Sequence, residues 1–129
     1  MNRYIIAASV LLACSLPAAA FNASLTGQLK GLSGTTRFVQ ACTLQALIEI
    51  NKDRNGLRPS HTPVDALGAP SIKGDVMTGN TGAARSRDKW YQFSFKCVTS
   101  PDHLQVTSFT YKIGKPIPKA QWASYNLYQ

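Results

Sequence analysis

Apolar and polar side chains alternate through Tyr91-Gln-Phe-Ser-Phe-Lys-Cys97. A period of two puts Tyr91, Phe93, Phe95 and Cys97 on one face of a strand, and Trp90, Gln92, Ser94 and Lys96 on the other. Ser100-Pro101-Asp102-His103 follows, with Pro where a type I turn wants φ near −65°. Leu104 to Ile113 then forms the returning strand of a hairpin. In that strand Val106 and the group Phe109, Tyr111 and Ile113 are all inward types, yet their parities conflict. A β-bulge near Thr107-Ser108 absorbs the slip. Gly114, Pro116 and Pro118 end the strand.

Upstream the period changes. Ser33 to Thr36 offers helix caps, and a helix from Thr35 or Thr36 to about Lys52 carries two apolar stripes. One is Val39, Cys42, Ala46 and Ile50. The other is Ala41, Leu44 and Ile48. Two stripes predict a helix buried on two sides with Cys42 pointing inward. Asn55-Gly56 terminates it. Leu57 to Pro70, with three prolines, reads as an irregular connection. Ser71 to Thr78 reads as a weak strand, Gly79 to Gly82 as a turn, and Ala83 to Arg87 as an extended lead into the hairpin. A two-residue loop at Asp88-Lys89 places Arg87 opposite Trp90 and Arg85 opposite Gln92. Pro118 opens a short helix to about Tyr125, docked by Trp122 and Tyr125. The predicted fold class is α+β: a small antiparallel sheet of three to four strands packed against an N-terminal helix, with a short C-terminal helix. The domain spans residues 35–129, preceded by a flexible arm over 21–34.

The first twenty residues stand outside that domain. Asn2-Arg3, an apolar run from Tyr4 to Leu16, Pro17 and Ala18-Ala19-Ala20 have the layout of a signal peptide cleaved before Phe21. The run is too short to span a bilayer as a mature helix. The alternative is a lipoprotein box at Leu11 to Cys14, which leaves an acylated Cys14 as the anchor. Either processing leaves Cys42 and Cys97 as the cysteine pair of the folded domain. An even count in an oxidising compartment predicts one disulfide. Its loop would contribute about 4 kcal/mol in the chain-entropy model.

Charge then narrows the partners. Without residues 1–20 the chain carries net +7, and Arg85 to Gln129 alone holds seven basic and two acidic residues. Such a surface favours an anionic polysaccharide, a lipid headgroup or an acidic protein, while export argues against nucleic acid. The candidate binding residues are Arg85, Arg87, Trp90, Lys96 and Lys112, gathered by strand parity on one outward face: an aromatic ring beside forked and point cations. A solvated face is the competing reading. Candidate catalysis finds less support. His61 and His103 fall in loops without the three or four ligands a metal needs, so no cofactor or metal is expected. Cys97 as a nucleophile with His103 competes with a disulfide to Cys42. The six acids form no visible pair for glycoside chemistry.

The residues from Thr36-Arg37 and Cys42, then Arg85-Ser86-Arg87, Trp90-Tyr91, Ser94-Phe95-Lys96-Cys97, Asp102-His103, Val106, Phe109, Tyr111, Ile113-Gly114, Pro118, Trp122 and Tyr125 resemble an exported alphaproteobacterial family known as domain of unknown function 930. The resemblance covers roughly Thr35 to Tyr128. It is dense from Arg85 to Leu127 and thin between Asn55 and Gly82. It implies a bacterial periplasmic protein and a pairing of the two cysteines, and it carries no activity. Three functional readings follow: a non-catalytic binding or structural module of the cell envelope, a small periplasmic enzyme, and an inhibitor or accessory subunit of another exported protein.

Overall fold

The computed structural model describes residues 26–129, so the predicted leader, the Ala20–Phe21 cleavage site and Cys14 lie outside the described residues. In the segment read as a loose arm, residues 26–30 are helical and Leu29 is buried. Helix α1 spans Gly34–Lys52. Its buried positions are Phe38, Ala41, Cys42, Ala46 and Ile50, while Leu44 and Ile48 of the second stripe are only half-buried. One side of α1 therefore meets the sheet and the other stays partly in solvent. Asn55 Nδ2 donates to the Ile50 carbonyl at 3.2 Å, covering a carbonyl of the last turn.

Four strands follow: β1 (Ser71–Lys73), β2 (Val76–Ser86), β3 (Lys89–Thr99) and β4 (Val106–Pro116). They form one antiparallel sheet in the order β1-β2-β3-β4. The chain is α+β, as the alternation predicts, and the C-terminal helix is a pair of 3-10 turns, Lys119–Gln121 and Ala123–Tyr125. Among the described residues no helix is long and apolar enough to cross a membrane.

Cys42 and Cys97 are disulfide-bonded, with Cα atoms 6.0 Å apart, tying α1 to β3. Around them Phe38, Ala46, Ile50, Met77, Ala84, Phe93 and Phe95 close the core, with Phe109, Tyr111 and Ile113 at its margin. The bulge falls at Thr107: Val98 pairs with Ser108 and Thr99 with Val106, so Val106 joins the same core as Phe109.

Two expected turns differ. Residues 79–82 do not break the chain; they are an irregularity inside β2. Thr81 holds it in place, its hydroxyl donating to the Val64 carbonyl at 2.7 Å and its carbonyl accepting from Leu67 N at 2.9 Å. The β2–β3 loop is Arg87-Asp88, not Asp88-Lys89, with Ser86 opposite Lys89 and Arg85 opposite Trp90. Side-chain size sets this register. It places Gly82 against Phe93 and Ala84 against Tyr91, and it seats Ala83 in one cluster with Trp90. The loop pays with Arg87 at φ 58°, a left-handed conformation that costs a non-glycine residue about 1–2 kcal/mol.

Candidate functional site

The sheet has a second face, carried by the even positions of β3. At one end of it Trp90 and Ala83 pack under Ile117 and Trp122, with Ala66, Leu67 and Leu127 around them. Trp90 thus sits on the predicted face but is only 2% exposed, not outward. Period two fixes which face a side chain takes; it does not say that a tail about thirty residues further on returns to roof that face. Trp122 docks as predicted, whereas Tyr125 of the same segment is exposed.

The other end of this face has no roof. Its cross-strand rows are Ser71, Thr78, Lys96 and Thr110; Lys73, Val76, Val98 and Ser108; and Ser94 with Lys112. Lys73, Lys96, Ser108, Thr110 and Lys112 are exposed. The rows contain hydroxyl and ammonium groups, with Val76 and Val98 between Lys73 and Ser108, and no carboxylate. Lys96 lies opposite Thr110 and Lys112 opposite Ser94, so the two lysines are diagonal neighbours, about 7–8 Å apart in such a ladder. Among the described residues the one closed ion pair is Lys52 with Glu49, on α1. Three lysines on one exposed surface with no acid between them repel one another, and a bound anion relieves that repulsion.

Arg85 belongs to the roofed end. Its guanidinium carbon stands 5.8 Å from the Trp90 ring centre, 5.3 Å from that of Trp122 and 5.8 Å from that of Tyr128. Its Nη1 donates to the Tyr128 carbonyl at 3.1 Å, and Trp90 Nε1 donates to the same oxygen at 2.8 Å. Tyr128 Oη lies 2.8 Å from His61 Nδ1. The five candidate residues therefore divide. Lys96 and Lys112 share the open half, Arg85 and Trp90 share the roofed half, and Arg87 is exposed in the hairpin loop. Lys73, Lys119, Trp122 and Tyr128 were missed as site residues. A β1–β2 pairing would have placed Lys73, but three residues are too few to carry a period. Aromatic residues interleaved with Lys119 were the visible sign at the C-terminal end.

Asp102 and His103 are spent on the β3–β4 turn. The Asp102 carboxylate accepts from the Ser100 hydroxyl at 2.6 Å and from Leu104 N at 3.1 Å, and the Ser100 bond foremost holds its carboxyl below the usual range. His103 Nδ1 lies 2.8 Å from Thr99 Oγ1, and its ring centre is 4.2 Å from that of Phe38. Cys97 is engaged in the disulfide. No three of His, Cys, Asp and Glu gather into a metal-ligand group among the described residues. On the α1 side Tyr111 donates to Asp53 Oδ2 at 2.6 Å and accepts from Asn55 Nδ2 at 3.0 Å. Burial, then that bond to Asp53, pushes its phenol up to about 12.

Comparison with protein families matches residues 29–127 to the family described as Domain of Unknown Function (DUF930). Neither the curated proteins nor the solved structures gave a match.

Proposed function

The chain belongs to the DUF930 family, and from that premise we propose that it is a non-catalytic binding module for an anionic polymer of the cell envelope. The observation that carries this reading is the unroofed half-face, where Lys73, Lys96 and Lys112 stand among serine and threonine hydroxyls with no acid in their rows. Exposed and basic, it suits a long chain of repeating negative charge. Ammonium groups supply the attraction and hydroxyls supply hydrogen bonds to the chain's oxygens. The disulfide supports export to an oxidising compartment, where such polymers are found.

The test compares wild type with a Lys96→Ala, Lys112→Ala double variant for binding to alginate, a polycarboxylate without phosphate. Both lysines are exposed, so the fold should tolerate the change. A lysine at an anionic surface contributes about 1 kcal/mol, so the double variant should bind roughly tenfold or more weakly at low salt. Moderate salt should erase most of the difference. Equal binding by both proteins at low salt would reject the reading.

A further inference from the structure

Beyond the open half-face, the roofed end holds a second basic site. A cleft of about 490 Å³ opens beside the β2–β3 loop, and Arg85, Lys89, Lys119, Asp88, Ile117 and Trp122 contribute to its walls. Its cations are not spent inside the protein. Arg85 has one hydrogen-bond acceptor among the described residues, the Tyr128 carbonyl. The three surrounding rings fix the position of its guanidinium without accepting its in-plane donors. Lys119 Nζ stands 5.9 Å from the centre of the Trp122 ring, so the same indole positions two of the cations. None of the three is within ion-pair distance of an acid among the described residues, and Asp88 is the single carboxylate side chain in the lining.

We propose that this cleft binds a phosphate group, held by the Arg85 fork and by the ammonium groups of Lys89 and Lys119. The geometry selects phosphate over carboxylate. A planar carboxylate takes two parallel bonds from one guanidinium, and its remaining lone pairs lie in that same plane, so it answers cations from fewer directions. A tetrahedral dianion presents oxygens in several directions, which suits one guanidinium and two ammonium groups drawn from different parts of the lining. The ring-fixed guanidinium loses little freedom on binding, which favours affinity. The site is separate from the open half-face and shares with it only the sign of the ligand's charge.

Trp90 and Trp122 are the two tryptophans of the chain, and both contact Arg85, so intrinsic fluorescence reports on the cleft directly. The folded protein is titrated at constant ionic strength, exchanging sodium chloride for inorganic phosphate, for glucose 6-phosphate or for acetate. A saturable change with a phosphate probe and none with acetate supports the site. Response to both phosphate probes assigns the free anion as sufficient, and response to glucose 6-phosphate alone assigns an ester-borne group. Lys119→Ala, at an exposed position, and Arg85→Lys, which keeps the charge but loses the fork, should each weaken binding about tenfold. Absence of a saturable response to both phosphate probes, an equal response to acetate, or wild-type affinity in Lys119→Ala would overturn the proposal. The Lys96→Ala, Lys112→Ala variant leaves Arg85, Lys89 and Lys119 in place, so a phosphate response retained in that variant, whatever its alginate binding, separates failure of this proposal from failure of the other.

Discussion

At position 82 a single added methyl group would run into the ring of Phe93, because Gly82 lies directly opposite it in the β2–β3 ladder and the ring covers the glycine. Phe93 is fully buried in the core and has no room to move aside. Gly82→Ala should therefore destabilise by about 1–3 kcal/mol through overpacking, read as a lower urea midpoint with unchanged slope. A midpoint equal to wild type would show that the register owes nothing to this contact. Tyr111 supports a prediction of a different kind. Its neutral phenol is favoured in the folded state, where it titrates at about 12 against an ordinary value near 10. Its contribution is complete below pH 10, where the phenol is neutral whether or not the chain is folded. From pH 10 the unfolded chain ionises first, and the contribution is lost as pH rises through about 12. Wild type should lose stability across that window more steeply than Tyr111→Phe. Parallel curves for the two would remove the Asp53 and burial account of this residue.

At the scale of elements, the disulfide joins α1 to β3 across a sequence separation of 55. Loop closure of that length contributes about 4 kcal/mol in the chain-entropy model, much of the total for a small domain. Denatured but unreduced protein should show no reactive thiol from this pair, and a Cys42→Ala, Cys97→Ala variant should lose stability of that order. Two free thiols, or a variant as stable as wild type, would contradict it. The pairing was legible because two independent periods, 3.6 along α1 and 2 along β3, each turn a cysteine toward the same layer. The bulge at Thr107 was legible for a similar reason, since Val106 and Phe109 could not otherwise share a face. The β2–β3 loop was not. Loop rules favour Gly and Asn, neither of which is present, and the decision passed to Gly82, Ala83 and Ala84 fitting beneath large rings. The continuity of β2 through residues 79–82 escaped as well, because what holds it is the remote loop around Val64 and Leu67.

For the molecule as a whole, α1 seals one side of the sheet and the segment from Ile117 to Tyr128 roofs part of the other, leaving Lys73, Lys96 and Lys112 on the uncovered remainder. The candidate face was half legible for this reason. Strand parity put Trp90, Lys96 and Lys112 on one surface, and the returning tail then split that surface into an aromatic-held Arg85 and an open lysine array. The net charge of the last third, +5, is divided between the two and the hairpin loop. Anion binding at an exposed lysine array should weaken steeply between low and moderate salt, since the Debye length falls from about 30 Å at 0.01 M to about 10 Å at 0.1 M and cuts off the longer-range attraction between array and polyanion. The most direct measurement is an amide chemical-shift map of the isotopically labelled protein titrated with alginate at low salt. Saturable shifts should centre on Lys73, Thr78, Ser94, Lys96, Thr110 and Lys112, with α1 unmoved. Shifts centred on α1 or on residues 57–70, with those six positions still, would contradict the account.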